Sequence, residues 1–308
     1  MIAAVLGATG FVGSAVTNEL TKQGHTVMRV KAPRLVSTAV SVGKLLAQSH
    51  SMHAEIQALA ESIAAADVVI NAAGLATSGG QSSPELTGAN ALLAVLVARA
   101  VTVADVQRFI HVSSAAVQGP STVLDESTDT TPFSAYSRSK ALGEQGLTAL
   151  ASNTVILRAT SVQGQNRPTT AALVRIASSP LSSVATPGTA PTPVSSISSL
   201  AAFVVHAATV QQQPVGIVLQ PWEGVTVTSV LRAAGGRDPL RLPAGLCRLA
   251  LRTGYAVSTL FGERLHGPIR RVELMWFGQR QEALWAARSG FVVRPCVELT
   301  LERARSHR

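Results

Sequence analysis

The chain is 308 residues long, 46% hydrophobic and 14% charged, which excludes a wholly disordered protein and leaves enough apolar surface for one large domain or two unequal ones. Aromatic residues make up only 4%, too few to offer a run of stacking platforms to nucleic-acid bases. The net charge is +9, most of it between Arg241 and Arg308, where twelve Arg face five acids; that excess suits an anionic ligand or surface, or simply reflects a chain with 22 Arg and 4 Lys.

Ile2 to Leu6 is a short apolar run that reads as a buried parallel strand. A glycine-rich loop follows, then a helix from Ser14 to Gln23 stopped at Gly24, and a second strand from His25 to Val30. This is the β-α-β opening of a doubly wound fold. Further on, Ser51 to Ala66 reads as helix, Asp67 to Ile70 as strand and Ala89 to Val101 as a strongly apolar helix. Arg108 to Ser113 is the next strand, a long helix lies within Pro132 to Leu150, and Thr154 to Arg158 is strand again.

Beyond Arg158 the texture changes. Ser178 to Ser199 is rich in Ser, Pro and Thr and reads as irregular, Gly216 to Gln220 as strand, Val227 to Ala234 as helix, and Arg241 to Arg288 as Arg-rich helix. The expectation is an α/β chain: a Rossmann-type doubly wound parallel sheet over residues 1–165, a returning segment near 195–220, and a smaller C-terminal substrate domain in 166–308. No apolar run reaches the length of a membrane span; Leu242 to Phe261 comes nearest and contains Arg248 and Arg252. The start has no basic region ahead of its apolar run, and Cys247 and Cys296 lack metal-type spacing. A cytoplasmic location and no metal are expected.

The loop Gly7-Ala8-Thr9-Gly10-Phe11-Val12-Gly13 sits between a strand and a helix. Glycines let backbone N–H groups approach a pyrophosphate, and the helix N-terminus adds partial positive charge. An acid at the end of the second strand would bind the ribose 2′-OH of NAD. Here Val30-Lys31-Ala32-Pro33-Arg34 has no acid and two cations, which favours NADP over NAD, with Arg34 suited to fork onto a 2′-phosphate.

Tyr136 and Lys140 stand four residues apart, on one helical face. A neighbouring ammonium stabilises phenolate and makes the tyrosine a usable acid or base. Ser113-Ser114 ends a strand, where a doubly wound sheet places its ligands.

These segments, with Asn71-Ala72-Ala73-Gly74, Asn90, His111-Val112-Ser113-Ser114 through Gly119, Glu144, Leu157-Arg158 and Gly164, resemble in order and spacing the extended short-chain dehydrogenase/reductase family, also called the NAD-dependent epimerase/dehydratase family. The resemblance implies Ser114, Tyr136 and Lys140 as the catalytic set. It implies Asn90 in support of the helix and the proton path, and Asn71 to Gly74 as lining of the cofactor cleft after the fourth strand. It also implies hydride transfer between nicotinamide and a substrate carbon. Some positions depart from the family. The Gly-Asp pair usual after the third strand is absent between Pro33 and Ala66; Ala159, Ser161 and Gln118 replace residues frequent in relatives; and Pro193 to Leu200 lacks the expected His.

Many members act on nucleotide-diphosphate sugars, so the resemblance implies such a substrate, with Ser161, Arg232 and Arg264 as candidate contacts. An apolar ketone or alcohol, steroid- or polyketide-like, is the alternative, with Leu242 to Leu274 as a lipophilic lid. A non-catalytic cofactor sensor is a third reading, opposed by the presence of both Tyr136 and Lys140; charge alone speaks for a nucleic acid, and none is expected. A homodimer stays open.

Overall fold

The computed structural model describes residues 1–76, 82–150, 154–214, 216–260 and 265–307. Four parallel strands, β1 (Ile2–Leu6), β2 (Thr26–Val30), β3 (Val68–Asn71) and β4 (Arg108–Ser114), join the strands Thr154–Ala159 and Gly216–Leu219 in one six-stranded sheet. Their spatial order is Gly216–Leu219, Thr154–Ala159, β4, β3, β1, β2. Neighbours β1 and β3 are parallel, with Leu6 opposite Asn71. The order reverses between them, so both chains leave the sheet into one crevice, where open α/β sheets bind ligands.

Alternation along the strands divides the core. Ala4, Leu6, Val69 and Phe109 pack on one face against the helices His53–Ile63 and Leu93–Val103. Ala3, Val5, Ile70 and Ile110 pack on the other against α1 (Phe11–Lys22) and the helix Ile197–Thr209. A separate cluster built from Val174, Val184, Val230, Leu231 and Leu301 holds the later part of the chain together. Contrary to the sequence reading, the apolar helical stretch with the length of a membrane span is Pro84–Val103, not Leu242 to Phe261, and its Leu92 to Val97 lie within the core against the sheet.

Two further expectations are corrected. Asn71 to Gly74 follow the third strand, not the fourth. Between β2 and β3 the described chain forms two helices, Val42–His50 and His53–Ile63, and no strand, so β2 is the sheet edge. The missing Gly-Asp pair is the sequence mark of that missing strand. The segment read as irregular, Ser178 to Ser199, also holds short strands, Ser183–Ala185 and Val194–Ser196, and opens the helix Ile197–Thr209. Its Ser residues are partly a cap, since Ser196 Oγ accepts from the Ser199 N–H.

Candidate active site

The glycine loop leaves β1 at Gly7, whose φ of 77° suits glycine. Gly10 N–H donates to the Gly7 carbonyl at 2.9 Å, and a Cβ on Gly13 would collide with that same oxygen. α1 then starts at Phe11 with no side chain capping it. Its free amides and its positive end face the crevice, which fits a dinucleotide pyrophosphate. Opposite, Asn71 Oδ1 accepts from Ala73 N–H at 3.1 Å and shapes the Ala72-Ala73-Gly74 turn. Asn90 holds that turn from below: its Oδ1 accepts from Leu75 N–H and its Nδ2 donates to Leu75 O and to Ser139 Oγ, each at 2.9 Å. Asn90 is buried, and its amide is spent on these bonds.

Ser134 opens the helix Ala135–Ala149 with a reciprocal capping box to Ser137. This helix carries Tyr136 and Lys140 towards Ser114 at the end of β4. The three line a cavity of about 510 Å³ together with Gly10, Phe11, Val12, Ala72 to Gly74, Ser161, Arg167 and Arg271. Ser114 Oγ accepts from Ala116 N–H at 3.3 Å, which fixes the hydroxyl on the Tyr136 side of the strand end. Burial pushes the phenol above its ordinary pKa, while Ser114 and the positive charge of Arg167 pull it back. Lys140 Nζ donates to Val112 O at 3.1 Å. Burial lowers its pKa to about 8, against the charge of Glu144, which favours the ammonium.

The cation whose charge bears on Tyr136 is thus Arg167; Lys140, named from spacing, lines the same cavity. Arg167 donates to Val162 O, and its guanidinium lies 4.6 Å from the centre of the Phe11 ring. It marks the turn into the helix Pro168–Ala177, where only its place just after Gly164 hinted at the site. Arg271 is the second residue missed. In sequence nothing separates it from Arg270, yet Arg270 is buried and paired with Glu273 at 2.8 Å while Arg271 lines the cavity.

The remaining candidates divide. Lys31 and Arg34 line a cavity of about 890 Å³ at the end of β2, exposed and without partners among the described residues; Glu55 is the one acid in its wall. Thr9 is exposed in the glycine loop. Arg232 does not join the site: it is exposed, pairs with Asp238 and lines neither the active-site cavity nor its neighbour. Arg264 lies outside the described residues. No cluster that could hold a metal occurs among the described residues.

Residues 3–189 match the model of the NAD dependent epimerase/dehydratase family. No curated protein matches the sequence. Among solved structures, the chain is similar to UDP-glucuronic acid 4-epimerase from Bacillus cereus in complex with NAD, at 18% identity and a TM-score of 0.65, covering 100% of this chain and 98% of that one. It is also similar to the human epimerase family protein SDR39U1 with NADPH, at 19% identity and a TM-score of 0.65, covering all of both chains. UDP-N-acetylglucosamine 4-epimerase from Bacillus cereus is similar at 15% identity and a TM-score of 0.64, covering 100% of this chain and 99% of the other.

Proposed function

Because the chain belongs to the NAD dependent epimerase/dehydratase family, we propose that it interconverts a secondary alcohol and a ketone with NADP(H), using Ser114, Tyr136 and Lys140. The meeting of these three side chains with the glycine loop and the Asn71 turn in one cavity carries this reading. When bound, the cofactor supplies or takes up the hydride. In reduction, Tyr136 Oη gives its proton to the substrate oxygen and Ser114 Oγ hydrogen-bonds that oxygen; in oxidation the same atoms run in reverse. The Lys140 ammonium holds the nicotinamide ribose. The positive charge of Arg167 steadies the Tyr136 phenolate.

Two free cations and no acid on the chain leaving β2 support NADP over NAD. Neighbours solved with UDP-sugars support a nucleotide-sugar substrate. The lining of a second chamber, of about 460 Å³, favours the other reading, an apolar ketone or alcohol. It shares Ser161, Pro168, Thr169 and Arg271 with the active-site cavity, and its further wall includes Leu173, Ile176, Val230, Leu274 and Met275. We adopt that substrate class.

NADPH oxidation coupled to ketone reduction tests the reaction. Tyr136→Phe is expected to lower kcat by roughly a hundredfold or more while NADPH still binds. A Tyr136→Phe enzyme of ordinary activity sinks the proposed chemistry.

A further inference from the structure

The chamber beside the active-site cavity is built to hide apolar surface. Leu173 and Ile176 come from the helix Pro168–Ala177, Val230 and Leu231 from the helix Val227–Gly235, and Leu274 and Met275 from the helix His266–Phe277. Apart from Arg271, its polar side chains are Ser161, Gln163 and the hydroxyls of Thr169 and Thr192, and the one amide among them is spent. Gln163 is buried, donates to Ser161 O at 3.0 Å and to Ser161 Oγ at 3.1 Å, and accepts from Thr170 Oγ1 at 2.9 Å. A ribose and a nucleobase need several unspent donors and acceptors. Among the described residues this wall offers few.

One charge breaks the apolar lining. Arg271 sits three and four residues before Leu274 and Met275, so the three share a helical face, and all three line the chamber. Arg271 also lines the active-site cavity, which puts it at the junction of the two spaces. The other cations of the active-site cavity are engaged: Lys140 with Val112 O, Arg167 with Val162 O and the Phe11 ring. Arg271 has no hydrogen bond or ion pair with any described residue, while its neighbour Arg270 has both.

We propose that the substrate is an apolar keto or hydroxy acid, with its carboxylate on Arg271 and its apolar body in the chamber lined by Leu173, Val230 and Met275. This rests on the apolar-substrate reading above and adds the acid to it. A guanidinium takes a carboxylate through two parallel N–H···O bonds, a geometry an ester cannot match. Ser161, Pro168, Thr169 and Arg271 line both spaces, so an acid held at Arg271 can turn its keto carbon into the cavity that holds Tyr136 while its alkyl tail runs back into the chamber. In reduction the keto carbon gains a hydride from NADPH, the C=O π pair moves to oxygen, and that oxygen takes the Tyr136 proton; NADPH leaves as NADP⁺ and Tyr136 is reprotonated from solvent.

The test uses 4-oxodecanoate and its methyl ester, each offered with NADPH, and UDP-glucuronic acid offered with NADP⁺ and with NAD⁺, all to the full chain, together with calorimetric binding of 4-oxodecanoate to the protein alone. Wild type is expected to reduce the acid with a kcat/KM about tenfold or more above the ester, from hydrogen bonds to a charged partner. Arg271→Met is expected to bring the acid down to the ester's level, to leave the ester within about twofold and to weaken 4-oxodecanoate binding by a similar factor. Acid and ester reduced equally by wild type, or hit equally by Arg271→Met, overturn the role of Arg271 and leave the apolar-substrate reading standing. Turnover of UDP-glucuronic acid with neither ketone reduced overturns both. Ketone reduction absent and UDP-glucuronic acid untouched overturns the substrate class, while NADPH binding measured on the same sample reports whether the cofactor site is intact.

Discussion

Arg158 Nη2 lies 2.8 Å from Glu144 Oε2, an ion pair closed between the strand Thr154–Ala159 and the helix that carries Tyr136, with both side chains almost wholly out of water. Ser113 Oγ donates to Glu144 Oε1 at 2.5 Å, and Arg158 Nη1 donates to Ser127 O at 2.7 Å. The pair therefore ties the end of β4, beside Ser114, to the helix one turn beyond Lys140. Removing one partner leaves the other charge buried, so Arg158→Met is expected to cost about 3–5 kcal/mol in urea unfolding. The double variant Glu144→Leu with Arg158→Met should recover much of that loss. A loss below about 1 kcal/mol for Arg158→Met would show that the pair is solvated, as exposed pairs are.

Gly13→Ala places a Cβ against the Gly7 carbonyl. The loop must then open, and the α1 amides move away from the pyrophosphate. NADPH affinity, read by the quenching of protein fluorescence, should fall at least about tenfold, the equivalent of one charge-assisted hydrogen bond. Unchanged affinity would remove the loop from the cofactor site.

Lys31→Ala with Arg34→Ala addresses the choice of dinucleotide. Both cations are free and line the cavity at the end of β2. NADP⁺ binding should weaken by roughly tenfold or more and NAD⁺ binding should stay within about twofold. A parallel loss for both cofactors would mean that neither residue reads the 2′-phosphate.

Lys140 gives the stability of the empty protein a pH dependence. Burial lowers its pKa to about 8 in the fold, and unfolding returns it to the ordinary value of about 10.4. Between these values the unfolded chain holds more protons, so stability rises with pH through the window from about 8 to 10. Below it Lys140 is charged in both states and the fold carries the burial cost. Lys140→Met should remove this rise, seen as a flatter curve of unfolding free energy against pH. Parallel curves for the two proteins would contradict the assignment.

If Tyr136 is the acid of the proposed reduction, Arg167 bears on the pH range of turnover. Arg167→Met removes a positive charge that lowers the phenol pKa, so the basic limb of the reduction profile should move to higher pH with kcat at the optimum largely kept. A basic limb that stays in place would detach Arg167 from the acid.

Much of this was written along the chain. The run Ile2 to Leu6, the glycine loop and the next strand are contiguous, and a β-α-β unit is encoded by patterns of five to ten neighbours. Tyr136 and Lys140 fall on one helix, so their shared face follows from spacing. The absent Gly-Asp pair was legible, yet a strand before it was still counted, because an absence has no periodicity to read. Only the sheet order showed that β2 becomes an edge. Arg232 and Arg264 were chosen for charge in a suitable region, and the structure sets Arg232 on the surface with Asp238.

The sequence by itself determined the glycine loop between strand and helix, Ser114 at a strand end, and Tyr136 and Lys140 on one helical face, because each is a local pattern fixed by strand, turn or helix geometry. The tertiary structure decided which arginines line the cavity with Tyr136 and what lines the space beside it. Arg270 and Arg271 are neighbours in sequence with opposite fates, one sealed against Glu273 and the other open to the cavity. A helix turns adjacent residues about 100° apart, and only packing against the helices Ala244–Leu260 and Val227–Gly235 and the strand Ser183–Ala185 determines which of the two directions is the inside of a site.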